Sequence, residues 1–252
     1  MTMDGYGTFG AFAKAYAAAR RSFPDEIIEH LKERAGKRIH VLDMGCGTGI
    51  PSRQLADHGF VVIASDSDKR MIEKAKTDSQ GYTIEYIVAP VHAHSFEDNT
   101  FDAVTAFSAF HWFTGRESLK EICRLLKKRG LFFVVNKNDK SEIKRLIKST
   151  LAPFFSVVNP PIDVKASYDP RVSLEQHNFS KIAEYTVSVV DQYTIPDAIV
   201  YAQSISIWNL VIPDQRTDAL EALRAMFTKE AHSGILERPL EIKAVSGYKS
   251  IW

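Results

Sequence analysis

Apolar and polar positions along this chain follow two periods. Short apolar runs at Ile39 to Asp43, Phe60 to Ala64, Thr83 to Val88, Ala103 to Phe107 and Leu131 to Val135 read as strands. The second is continuous, as a strand covered on both faces should be. Helical spacing fills the gaps. Ile27, Ile28 and Leu31 form a stripe behind Ser22 and Pro24, a start signal. A helix from about Pro51 to His58 ends at Gly59, and Met71, Ile72 and Ala75 face a further helix inward. Thr114 is expected to cap an amphipathic helix carrying Leu119, Ile122, Leu125 and Leu126, with Lys127, Lys128 and Arg129 closing it before Gly130. Five strands alternating with helices imply a doubly wound parallel sheet.

The pattern changes after Asn136. Residues 139 to 152 read as a helix, and Pro153 to Asp169 as an irregular apolar stretch that either covers a substrate or packs on the sheet edge. Ile182 to Val190 alternates as a strand. Pro196 opens a helix carrying Ile199, Tyr201, Ile205, Ile207 and Trp208; Pro213 separates it from another that ends near Ala231. Leu240 to Ile251 is the last strand. No internal repeat or low-complexity tract interrupts the order.

The candidate chemistry begins where the first strand ends, in Asp43-Met44-Gly45-Cys46-Gly47-Thr48-Gly49. Glycines at alternate positions permit positive φ and close approach of a ligand. The following helix start offers unpaired N–H groups and a partial positive charge. A dinucleotide site would need a third glycine where Ile50 stands, and no Tyr-x-x-x-Lys pair supports a nicotinamide oxidoreductase. The Asp43 carboxylate suits an ammonium better than a pyrophosphate. Asp66, about twenty residues beyond Gly45 at the tip of the second strand, is placed to accept both hydroxyls of a ribose, or to cap the helix starting near Asp68. Beyond the fourth strand lies Phe107-Ser108-Ala109-Phe110-His111-Trp112-Phe113, at the carboxyl end where parallel sheets bind ligands.

The run D-x-G-C-G-T-G resembles motif I of the class I S-adenosylmethionine-dependent methyltransferases. The A-F-H-W-F string and the pattern Tyr16 … Arg20 … Phe23-Pro24 resemble the small-molecule branch of that family, of the trans-aconitate type. The resemblance implies a Rossmann-like, doubly wound seven-stranded sheet, mostly parallel with an antiparallel last strand. It also implies an N-terminal helical cover (residues 1–36) over a cofactor core (37–136). A small insertion (137–180) and C-terminal helices and strands (181–252) complete a single methyltransferase domain.

The implied cofactor is S-adenosyl-L-methionine, held by Tyr16, Arg20, Asp43, Gly45, Cys46, Gly47, Gly49, Asp66, Ser67, Met71, Val91, Phe107 and Ser108. Phe110, His111 and Trp112 would line the acceptor site. Tyr16 and Arg20 share a helix face, an arginine fork suiting a carboxylate; the plainer reading is a packing helix. His111 is the candidate base, or an imidazole that orients the loop. The family's adenine-binding acid is replaced by Pro90, which shifts adenine recognition to Val91, backbone groups or His92.

Composition narrows the partners. Among 252 residues the formal net charge is +1, so no global field favours nucleic acid or an anionic membrane. No apolar run reaches the ~18 residues of a membrane span. The N-terminal stretch lacks a basic segment followed by an apolar core, so no secretory signal is expected. Cys46 and Cys123 are the only cysteines, which points to a reducing compartment and a cytoplasmic location. His92 and His94 have metal-like spacing, but no acidic or thiol cluster joins them, so no metal is expected. A small-molecule acceptor is expected, handled by a monomer or homodimer. The product would be a methyl ester or ether of a carboxylate or hydroxyl; a cofactor-binding module without turnover is the alternative.

Overall fold

The computed structural model describes residues 13–36, 39–156 and 168–250, the side chains of 14–16 apart. Its elements run α1 (Ala13–Ala19), α2 (Asp25–Ala35), β1 (His40–Met44), α3 (Ile50–Asp57), β2 (Val61–Asp66), α4 (Lys69–Asp78), β3 (Ile84–Val88) and β4 (Phe101–Phe107). Then follow α5 (Arg116–Leu125), β5 (Leu126–Asp139), α6 (Ile143–Leu151), α7 (Pro170–Glu175), β6 (Phe179–Thr194), α8 (Ile195–Gln203), α9 (Arg216–Glu230) and β7 (Ile235–Lys249). One seven-stranded sheet has the order β3-β2-β1-β4-β5-β7-β6. Its first five strands are parallel, and the last strands are antiparallel. The chain steps outward from β1 to β3, returns, and steps outward again from β4. That reversal leaves a crevice between the carboxyl ends of β1 and β4, where a ligand is expected in a doubly wound sheet.

Two compact units partition the chain. One comprises residues 22–137, 163–187 and 242–252; the other comprises 1–21, 138–162 and 188–241. The core of the first is built from Leu42, Met44, Val104, Phe110, Ile122, Phe132 and Val134. Its helix α5 buries Leu119, Ile122 and Leu125, the face its sequence spacing foretells. The second unit has its own core, in which Ile143, Ile147 and Leu151 of α6 join Tyr201, Trp208, Leu223 and Phe227. Each fully buried side chain of this size contributes roughly 1.5–3 kcal/mol.

Several expectations are corrected. The basic triplet does not close a helix: α5 stops at Leu125, and Lys127 to Gly130 bulge out of β5 opposite Asp102. Leu126 is fully buried in register with Phe101, and that pairing outweighs helix propensity. Lys127 Nζ meets Asp102 Oδ1 at 2.7 Å. Thr114 is not the cap of α5; Gly115 occupies that position without a side-chain bond. β5 runs on through Asp139, so α6 begins only at Ile143. The helix expected to carry Ile205 to Trp208 ends at Gln203 and gives way to a 3₁₀ turn over Ser206–Leu210. Val61, expected to be covered on both faces, is half exposed. The stretch expected to be irregular falls partly on residues 157–167, outside the described residues.

Candidate functional site

The carboxyl ends of β1 and β2 are stitched together by the glycine turn. Gly45 and Cys46 both donate their N–H to the Ser65 carbonyl, at 2.8 and 2.9 Å. The Gly47 N–H donates to Asp66 Oδ2 at 2.9 Å, and Gly49 donates to the Cys46 carbonyl. Four amides of the turn are therefore engaged within the protein. The turn contributes a tight path: Gly45, Gly47 and Gly49 have φ of 70°, 56° and 76°, the left-handed region.

At Gly45 a Cβ would lie 2.7 Å from Ala109 Cβ and 3.4 Å from the Phe113 ring. At Gly49 it would lie 2.4 Å from the Tyr86 hydroxyl. On their Cβ sides these two glycines thus meet the protein's own loop after β4 and its own strand β3. Thr48, between Gly47 and Gly49, has a buried hydroxyl with no hydrogen-bond partner among the described residues. Such an orphan costs about 1–3 kcal/mol unless something supplies a bond.

Asp66 is half-buried at the tip of β2. Its Oδ1 accepts from the Asp68 N–H and its Oδ2 from Gly47, each at 2.9 Å. Each oxygen keeps lone-pair capacity for a further donor. Burial holds its pKa above the ordinary carboxylate value. Asp66 does not cap α4; Asp68 does, accepting from the Arg70 N–H.

Asp43, expected to hold the cofactor, is engaged within the protein. It is fully buried, with Oδ2 accepting from Ser52 Oγ at 2.6 Å and Oδ1 from Thr105 Oγ1 at 3.0 Å. Its carboxyl ties β1 to α3 and β4, and burial pushes its pKa up to about 6. Cys46 is also buried, and burial raises its thiol pKa well above the ordinary value. That thiol is a packing group at neutral pH.

Around this turn, Ser67 is exposed, Met71 is buried on α4, and Val91 packs partly against the core. His92 is exposed, but His94 is not a solvated partner to it: its Nδ1 lies 3.2 Å from the Val91 carbonyl and its Nε2 3.0 Å from Ser65 Oγ. The carbonyl fixes Nδ1 as the protonated nitrogen, and burial lowers the pKa of the ring. No group of metal-ligand type is found among the described residues.

Phe107 and Ser108 close the other side of the crevice. Phe107 meets Phe23 edge-on at 4.9 Å, and Gln54 holds Phe23 by accepting from its backbone N–H. Ser108 has φ of 53° and donates its N–H to the Val135 carbonyl at 2.7 Å. A non-glycine residue held there is strained, and such strain clusters at functional positions. Phe110, expected to line the acceptor site, is a core residue. It is fully buried, packed edge-on against Phe113, Phe132 and Tyr168. Trp112 is 44% exposed, with His111 tilted against it at 4.9 Å.

Arg20 belongs to the other compact unit, where its guanidinium lies 5.5 Å from the Tyr201 ring and donates to the Ser204 carbonyl. The Tyr16 side chain lies outside the described residues. Residues the sequence reading passed over are Thr48, Tyr86, Ser52, Thr105 and Gln54. Thr48 carried a signal, as a hydroxyl between glycines; the others act only through distant partners.

A family model described as a methyltransferase domain matches residues 42–134. An uncharacterised methyltransferase of Mycobacterium tuberculosis is 26% identical over 226 residues, spanning 87% of this chain and 85% of that protein. A malonyl-[acyl-carrier protein] O-methyltransferase of Erwinia pyrifoliae is 29% identical over 141 residues, 54% of this chain and 52% of its own. The solved structure of a protein from Anaeromyxobacter dehalogenans, described as a candidate type II methyltransferase, shares the fold. Its TM-score is 0.64 at 21% identity, covering 92% of this chain and 98% of that one. Residues 42–134 match a methyltransferase domain, and the chain is similar over most of its length to methyltransferases and to a solved structure of the same fold.

Proposed function

We propose that this methyltransferase binds S-adenosylmethionine in the crevice between β1 and β4 and methylates an oxygen of a small molecule. The observation that carries the reading is the juxtaposition at the glycine turn. A buried Thr48 hydroxyl lacks a partner among the described residues, and the Asp66 carboxylate is bonded to the adjoining Gly47 amide with lone pairs to spare. Asp66 would accept the ribose hydroxyls, and Thr48 and the strained Ser108 would hold the polar methionyl end. Met71 and Val91 would supply apolar contact to the adenine, which suits the absence of an acid at Pro90.

When bound, the cofactor supplies a methyl group already activated on a sulfonium. The residues of this chain then have to align an acceptor, keep water out and, for some acceptors, take a proton. Trp112 and Phe113 give an aromatic rim suited to a small, partly apolar acceptor and to a nearby cation. A carboxylate acceptor is already anionic and needs no base. A hydroxyl acceptor gives up its proton to His111, at the crevice rim. The near-zero net charge supports a small molecule over a nucleic acid.

Isothermal titration with S-adenosylmethionine tests the reading. Binding is expected, weakened about tenfold or more in Asp66→Ala, where charge-assisted hydrogen bonds are lost, and in Gly47→Val. No heat and no thermal shift at millimolar ligand would refute it.

A further inference from the structure

β5 is apolar and fully buried from Leu131 to Val135, then places Asn136 just beyond the point where Val135 pairs with Phe107 of β4. Asn136 is buried, and its side chain is bonded twice to one hydroxyl. Nδ2 donates to Tyr168 Oη at 2.6 Å, and that hydroxyl donates to Asn136 Oδ1 at 2.9 Å. The Tyr168 ring packs edge-on against Phe110 at 5.7 Å and stands 6.1 Å from the His111 ring. The loop carrying Phe110 and His111 also carries Ala109 and Phe113, which pack on Gly45. One loop is therefore flanked by the glycine turn through Ala109 and Phe113, and by the Asn136–Tyr168 pair through Phe110 and His111.

Packing alone does not call for this pair. A valine and a phenylalanine would fill the same volume without the cost of burying an amide and a phenol. The pair stands at the carboxyl end of a parallel strand, where ligands bind. Once Asn136 and Tyr168 have bonded each other, the amide keeps a second N–H and the phenol a second lone pair. The acid nearest in sequence, Asp169, is committed to the start of α7, accepting from the Arg171 N–H at 2.7 Å. The pair thus offers donors and neutral acceptors but no carboxylate.

We propose that Tyr168, clamped by Asn136 beside His111, forms the acceptor-side wall of the site and selects an acceptor that presents an oxygen rather than an ammonium. This rests on the cofactor reading above. An oxygen acceptor is met by the N–H and O–H groups of the pair, whereas an ammonium would meet only neutral acceptors in it, the exposed Asp169 carboxylate being turned to the start of α7. Burial pushes the Tyr168 pKa up to about 12, so its phenol remains a neutral hydrogen-bonding group at physiological pH. Asn136 and Tyr168 act as positioning residues, without taking part in methyl transfer.

The test uses the full chain with methyl-labelled S-adenosylmethionine and three matched probes: 4-phenylbutyrate, 4-phenylphenol and 4-phenylbutylamine. Transfer to an oxygen probe and not to the amine is expected. Tyr168→Phe keeps the ring on Phe110 and removes only the hydroxyl; Asn136→Ala removes the clamp. Each should raise the acceptor KM about tenfold, the worth of one hydrogen bond at a site, while cofactor affinity stays within about twofold. The double variant should be no worse than the worse single, because the two residues act as a unit. Preferential transfer to the amine, or an unchanged KM in both variants, would overturn the proposal. So would bound cofactor with no transfer to any probe, which leaves the cofactor reading intact. Absence of cofactor binding would instead strike down that reading, and this proposal with it.

Discussion

Gly49→Ala should be among the most damaging single-methyl additions to this protein. Gly49 precedes α3 with φ of 76°, so an alanine there costs about 1–2 kcal/mol for the left-handed backbone alone. Its Cβ would also lie 2.4 Å from Tyr86 Oη, 3.0 Å from Tyr86 Cζ and 3.1 Å from Arg53 Nη1. The hydroxyl cannot swing away freely. It is hydrogen-bonded to Ser79 Oγ at 2.8 Å, and that oxygen also receives Arg53 Nη1 at 3.2 Å. Overpacking of this kind adds about 1–3 kcal/mol, for a total of roughly 2–5 kcal/mol. For a chain of this size each kcal/mol moves Tm by roughly 2–4 °C, so a fall of about 4–20 °C is expected.

Tyr86→Phe separates the two causes. It removes the clashing oxygen and sacrifices one hydrogen bond worth about 1 kcal/mol, but leaves the backbone strain. Urea unfolding followed by circular dichroism should show the double variant more stable than the sum of the two singles by about 1–3 kcal/mol. A Gly49→Ala midpoint equal to that of the parent would refute the reasoning. So would additivity within about 0.5 kcal/mol, which would mean that the hydroxyl is not what the methyl group meets.

Three further predictions concern charges and the base. Asp43 has a folded pKa of about 6 against an ordinary 3.8, so its stabilising contribution is full below about 3.8 and is lost as pH rises through about 6. Asp43→Asn should therefore gain stability relative to the parent, by roughly 3 kcal/mol, between pH 4 and pH 7; a difference that does not change with pH would contradict this. Arg238 is buried, with Nε 2.7 Å from Asp139 Oδ2 and its guanidinium 4.4 Å from the Tyr201 ring. Arg238→Ala should cost about 3–5 kcal/mol by leaving Asp139 unpaired, and denaturation midpoints unchanged in that variant would dismiss the pair as structurally important. His111→Gln should lower kcat about 10²–10⁴-fold for a hydroxyl acceptor and leave a carboxylate acceptor untouched. Equal losses on both acceptors would assign the ring to shaping the loop instead.

The order of strands and helices was written in local pattern. Apolar runs bounded by turn residues mark β1 to β5, and the buried stripes at Ile27, Ile28 and Leu31, at Met71, Ile72 and Ala75, and at Leu119, Ile122 and Leu125 fall where their spacing puts them. These features follow from contacts within a few residues, and hydrophobic period captures such contacts. The place of the glycine turn after β1 and of Asp66 at the tip of β2 was legible for the same reason, as a short signal at the end of each strand.

What only the tertiary structure decided depends on partners far apart in the chain. That Asp43 is shut away from solvent and bonded to Ser52 and Thr105 could not be read locally, because these partners belong to a helix and to a strand 62 residues away. Gly45 and Gly49 looked like room for a ligand, whereas Ala109, Phe113 and Tyr86 occupy the space beside them. The packing of Phe110 on Phe132 and Tyr168 could not be read from spacing either. A hydrogen-bond acceptor is spent, or a void filled, by whatever the fold brings within about 3 Å, and no window along a sequence contains that partner. The local elements were set by the residues themselves; which groups remain free to act was set by their packing.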